Sequence, residues 1–118
     1  MHAPDPAVRA GLLATCRRHV APGGVVLIQR EGADWHDRVP RESVLGDGLA
    51  RVVSATDVGG GVREVYVEYV FPDAVWTQTF RSRPLTAPEF EAALTGAGLT
   101  LTHYLTPDRT WAAARPAG

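Results

Sequence analysis

Apolar residues recur every four positions at Val8, Leu12, Cys16 and Val20, with Leu13 beside them. That spacing predicts an amphipathic helix over residues 5–20 with this stripe turned inward. Asp5 suits its N-cap and Pro6 its first turn, while Arg17, Arg18 and His19 suit the negative end of its dipole. Ala21-Pro22-Gly23-Gly24 then stops the helix and turns the chain. The next run, Val25-Val26-Leu27-Ile28, is apolar without alternation. Such a run predicts a strand buried on both faces, as in a parallel sheet covered by helices.

Residues 32–48 show no period and are read as a loop with one helical turn near 41–45. Three strand-like runs follow at 49–58, 62–71 and 74–83. In the second, Val65, Val67, Tyr69 and Phe71 alternate with Glu64, Tyr66 and Glu68. In the third, Trp76, Gln78 and Phe80 alternate with Val75, Thr77 and Thr79. Gly59-Gly60-Gly61 and Pro72-Asp73 supply the turns of an antiparallel meander. Thr86 and Glu89 form a T-x-x-E capping box, with Leu85 placed to staple against Phe90. Phe90, Ala93, Leu94 and Ala97 make the buried stripe of this second helix, and Gly98 ends it. Residues 99–105 and 110–114 read as strands, joined by a turn at 106–109 that Asp108 shapes.

These elements predict one α/β domain over residues 1–118, a mixed sheet with an antiparallel meander and two main helices. At 118 residues the chain has the length of one domain, and its 45% hydrophobic content supplies a core. A net charge of −1 argues against nucleic acid as a partner, because phosphate affinity needs clustered cations. All 12 basic residues are Arg, and there is no Lys or Asn. This bias fits GC-rich coding, and its one chemical consequence is to exclude Schiff-base catalysis by a lysine. Cys16 is the sole cysteine, which excludes an intrachain disulfide and a thiolate metal cluster. No run approaches the ~20 apolar residues of a membrane span, and the N-terminus lacks the pattern of a signal peptide. The expectation is a cytoplasmic protein with no membrane partner and no metal.

In order, the chain offers a helix, Pro22-Gly23-Gly24, an apolar strand, a long insert, the Leu85-Thr86-x-x-Glu89-Phe90 helix, Ala97-Gly98-Leu99 and two strands. This order resembles the C-terminal half of a class I S-adenosylmethionine-dependent methyltransferase. The resemblance covers nearly the whole chain and implies a partial Rossmann-like sheet. In that family the cofactor site lies in the other half, on a glycine-rich loop after the first strand and an acidic residue after the second. Neither has a counterpart here, and Gly59-Gly60-Gly61 joins two strands without opening a helix. S-adenosylmethionine therefore enters by resemblance only, with no cofactor-binding residue assigned and no binding expected of this chain alone. The first helix starts within a few residues of Met1, so the expectation includes no hidden stretch that supplies the missing half. In the full fold the 25–28 strand lies beside a further strand. Without it, an apolar edge is exposed. Self-association, a complementary cofactor-binding chain or rearrangement of the meander would cover that edge.

By the same resemblance, Glu31, Trp35 and His36 face a substrate pocket beyond the apolar strand. His36 is the candidate catalytic residue, a general base titrating near neutrality, or else a solvated loop histidine. Tyr66 and Trp76, with Tyr69 and Phe80, are substrate-cage candidates or else core and interface residues. Glu64 and Glu68 read as a solvated face, His19 as a helix-end cap and Cys16 as a small buried hydrophobe. His2 and His103 have no partner at metal-ligand spacing. The functional expectation is a methyltransferase-like domain that contributes substrate-binding and oligomerisation surfaces. It would act on a small molecule, with methyl transfer only if the cofactor half is supplied elsewhere. The alternatives are a non-catalytic α+β ligand-binding or dimerisation module, and a small acid/base enzyme using His36 or His103.

Overall fold

A computed structural model describes residues 2–32 and 34–118. The elements run α1 (Pro6–His19), β1 (Val26–Gln29), β2 (Arg41–Leu45), β3 (Gly48–Gly59), β4 (Val62–Phe71), β5 (Ala74–Ser82), α2 (Ala87–Gly96), β6 (Leu99–Tyr104) and β7 (Trp111–Pro116). They form two compact units, Met1–Ala33 with Pro84–Gly118, and Asp34–Arg83.

The first unit is a three-stranded antiparallel sheet in the order β1-β7-β6, with α1 and α2. Its core holds Leu13, Ile28, Leu85, Phe90, Leu94, Leu99, Ala112 and Ala114. The capping box at α2 is complete: Thr86 accepts from the Glu89 backbone, and Glu89 accepts from the Thr86 backbone. Two orphan amides of the first turn are thereby satisfied. Gly98 has φ +77, a left-handed conformation that glycine adopts without a Cβ penalty. Its carbonyl accepts from Arg17 Nε at 3.1 Å and from the Ala117 amide at 2.9 Å. The turn after α2 thus ties both α1 and β7 down.

Two expectations for this unit are corrected. The inward line of α1 is Arg9 and Leu13, while Val8 and Leu12 are about half exposed at 49% and 52%. The helix is turned by one residue, because the Arg9 guanidinium folds back on the carbonyls of Ala3 and Pro4 and takes the inner position. Cys16 is correspondingly only half-buried. β1 is not buried on both faces either. Ile28 faces the core while Val25 and Leu27 are exposed, and β1 pairs antiparallel with β7 through Leu27 opposite Ala113. Among the described residues no strand lies on its other side. The apolar edge expected from the sequence is therefore present.

The second unit is a four-stranded antiparallel sheet in the order β2-β3-β4-β5. Residues 41–45, expected as a helical turn, form a strand that extends the meander by hairpin pairing with β3. Gly48, at the start of β3, lets β4 approach closely, since a Cβ there would meet the Val70 carbonyl at 2.4 Å. The expected single mixed sheet is thus two antiparallel sheets. Register places Val65 opposite Phe80 and Val67 opposite both Val52 and Gln78. Val65 and Val67 are buried on this face. The other face carries the exposed Glu42–Arg51 and Glu64–Arg81 pairs. Each such pair contributes little stability in water.

Candidate functional site

The chemistry of the second unit concentrates in the segment leading into β2. Residues 34–37 make a tight turn closed by the Asp37 amide on the Asp34 carbonyl. Arg41, at the start of β2, donates through Nη1 to the carbonyls of Trp35 and Arg38 and lays its guanidinium 4.4 Å from the Trp35 ring centroid. Trp35 in turn meets His36 edge to face, with centroids 4.9 Å apart. Asp37 accepts from Arg63 Nη2 at 3.3 Å, fixing the segment to β4.

His36 is 2% exposed, and neither of its ring nitrogens has a hydrogen-bond partner among the described residues. Burial lowers its pKa below 6.5, and the positive charges of Arg63 and Arg41 add to the shift, while Asp37 opposes it. The imidazole is therefore neutral at neutral pH, with one nitrogen free to accept a proton. Leaving such groups unpaired costs about 1–3 kcal/mol each, so the site is held together by its surroundings. The solvated-loop reading of His36 is excluded by this burial.

The other sequence candidates are distributed differently. Glu31, half-buried in the first unit, donates its backbone N–H to His2 Nε2 at 2.8 Å. Trp35 and His36 are brought together. Tyr66 and Trp76 are not: Tyr66 pairs with Thr79 and Trp76 with Tyr69, which places the two on opposite faces of the β4–β5 hairpin. Trp76 is 65% exposed. His103 lies exposed on β6 opposite Ala113. Among the described residues no group of three or more His, Cys, Asp or Glu side chains could hold a metal. Among the same residues no helix is long and apolar enough to cross a membrane.

The sequence reading missed Arg41 and Arg63. Arg63 carried a signal, since it falls at the alternating position of the apolar Val65–Val67 face. Arg41 carried none, because its strand was read as a turn. A further cluster lies in the first unit. Arg30, 6% exposed, donates to the Leu85 carbonyl and sits 4.7 Å over Phe90. Tyr104 tilts against Phe90 and donates to Glu91 at 2.9 Å. Burial and that bond to Glu91 raise the Tyr104 pKa.

The residues described do not fit the cofactor cradle expected of a methyltransferase. Gly59, Gly60 and Gly61, all at positive φ, turn β3 into β4. The two helix N-termini are capped by Asp5 and Thr86, and neither follows a strand through a glycine-rich turn.

No protein-family model matches the chain, and no curated protein matches it. Solved structures do. An S-adenosylmethionine-dependent methyltransferase from Clostridium acetobutylicum superposes with a TM-score of 0.74 at 10% identity, over 97% of this chain and 53% of that one. The sugar N-methyltransferase KedS8 from Streptoalloteichus gives 0.61 at 19% identity, over 98% and 51%. CalS10, an amino pentose methyltransferase from Micromonospora echinaspora, gives 0.59 at 20% identity, over 95% and 52%. The chain spans about half the length of each.

Proposed function

A partial methyltransferase fold is what this chain carries, and from it we propose that the chain is the substrate-side portion of an S-adenosylmethionine-dependent methyltransferase. The supporting observation is that methyltransferase structures account for 95–98% of this chain with only 51–54% of their own length. Methyl transfer then requires cofactor-binding sequence beyond the residues described. A complementary chain or a second copy would cover the β1 edge, and the assembly would work in the cytoplasm.

KedS8 is by name a sugar N-methyltransferase and CalS10 an amino pentose methyltransferase. An amino sugar is accordingly the acceptor we assign. An amine is largely protonated at neutral pH, and its lone pair is released when a neutral base takes the proton. His36 is that base, since the cause of its lowered pKa also keeps it unprotonated. Trp35 supplies an apolar ring beside it, and Glu31 is a proposed substrate contact. Tyr66 and Trp76 lie on opposite faces and serve different surfaces, Trp76 on the association surface and Tyr66 on a substrate surface.

Calorimetric titration of the chain with S-adenosylmethionine tests the division of labour. No heat of binding is expected, and micromolar affinity would place the cofactor site in this half. Titration with an amino sugar, followed by tryptophan fluorescence, tests the substrate side. Saturable quenching weakened by His36→Gln supports the assignment. The second reading, a non-catalytic dimerisation module, draws on the exposed β1 edge. It prevails if the chain dimerises and no amino sugar binds.

A further inference from the structure

We propose that Arg41 and His36, both in contact with Trp35, form a subsite for an oxyanion, a phosphate or carboxylate group carried by the substrate. The inference rests on the reading of this cluster as a substrate site and adds a charged group to what that site takes.

Charge pairing in the second unit carries the argument. Arg38, Arg51, Arg63 and Arg81 each have a carboxylate partner, at 2.8–3.4 Å. Arg41 has carbonyl oxygens instead, both on Nη1, and its Nη2 is buried without a partner among the described residues. A guanidinium held by two carbonyls and stacked on an indole is fixed in direction, so its remaining nitrogen points one way. His36 is 2% exposed and its ring meets the same indole, and neither of its nitrogens has a partner among the described residues. Three buried polar atoms in one segment, two of them able to donate, are left for a ligand to satisfy.

The sign of the ligand follows from the local field. Asp37 is engaged with Arg63, and the guanidinium of Arg41 has no carboxylate partner among the described residues. Burial is the main cause of the lowered His36 pKa, and Arg63 and Arg41 act in the same direction against Asp37. An oxyanion takes charge-assisted hydrogen bonds from Arg41 Nη2 and from the one N–H of neutral His36, and neutralises the site. A neutral hydroxyl would satisfy geometry but leave the charge. Anion binding also offsets the field of the two arginines and moves the His36 pKa back upward.

Inorganic phosphate is the probe, added to the full chain at constant ionic strength with chloride as the balancing ion. The readout is the His36 imidazole Cε1–H resonance, identified by its loss in His36→Gln. A saturable millimolar shift is expected in the native chain, with a rise in the His36 pKa. Arg41→Gln should weaken the response by about tenfold or more, the equivalent of one charge-assisted hydrogen bond. If that variant does not fold, Arg41→Lys makes the same comparison, since it keeps the charge but not the second terminal nitrogen. Acetate in place of phosphate separates a carboxylate subsite from a phosphate one. No saturable shift with either anion in the native chain, or an undiminished one without Arg41, overturns the proposal. Neither cofactor nor methyl transfer enters the measurement. A failed methylation assay therefore leaves the subsite standing, and a failed anion titration leaves the methyltransferase reading standing.

Discussion

The Trp35 and His36 rings meet at an interplanar angle of 88°, and the histidine beside that indole is 2% exposed. Burial, then Arg63 and Arg41, hold the folded-state pKa of His36 below 6.5, with Asp37 opposing. The unfolded chain consequently binds more protons in the window just below the ordinary histidine pKa. Stability is present above that pKa and declines as the pH falls through it toward the lower folded value. The melting temperature should therefore drop between about pH 7.5 and pH 5.5, and His36→Gln should flatten that decline. Parallel curves for the native and variant chains would mean that His36 is not buried in its neutral form.

The capping box sets a second expectation. Thr86→Ala removes the hydroxyl that accepts from the Glu89 amide and donates to the Glu89 carboxylate, leaving only the backbone half of the box. A loss of about 1 kcal/mol is expected in chemical denaturation, and Thr86→Ser should recover most of it. An unchanged midpoint would show that packing of Phe90 and Leu94 alone holds the helix start.

The α2 region was legible in the sequence because every local signal agreed: cap, staple, stripe and terminal glycine all act within one short stretch. The β4–β5 hairpin was legible for the same reason, through strict alternation and a short turn, whereas the run that forms β3 is only weakly patterned. Three features were not. The face of α1 is set by Arg9 reaching back to Ala3 and Pro4, a choice that a hydrophobic stripe does not encode. β2 is short and exposed on most of its length, so its strand state comes from pairing with β3 rather than from its own pattern. At the site, His36 and Trp35 stood out as chemistry-bearing residues, but the Arg63 that ties the neighbouring Asp37 to β4 lies 26 residues further along the chain.

The rotated helix face gives a direct contrast. Leu13→Ala should cost about 2–5 kcal/mol, since it opens a cavity in the core of the first unit. Val8→Ala, on the face that the four-residue repeat marked as inward, should stay within about 0.5 kcal/mol. Denaturation midpoints of the two variants decide it, and the reverse order would restore the original stripe.

Gly48 is the tightest glycine in the second unit. A methyl group there meets both the Val70 carbonyl and the Phe71 ring, at 2.4 and 2.5 Å. Because backbone and ring must both move, Gly48→Ala should destabilise by about 1–3 kcal/mol. Gly11, in the middle of α1, has nothing near its would-be Cβ. Gly11→Ala should therefore stabilise by roughly 0.5–1 kcal/mol through helix propensity. Opposite signs in thermal melts of the two variants are the expected result.

The free edge of β1 yields the last prediction. Edge strands present unpaired amides and carbonyls, and soluble proteins usually blunt them with charge or proline. This edge carries Val25 and Leu27, 49% and 57% exposed, and its one polar strand residue is Gln29. Leu27 lies opposite Ala113, whose methyl group gives it little to pack against across the ladder. A charged residue at that position would therefore remove apolar edge surface while disturbing the core very little. Leu27→Lys should shift the chain from an associated to a monomeric state in light scattering, with the melting temperature of the monomer nearly unchanged. A native chain that is already monomeric at high concentration would rule out self-association through this edge.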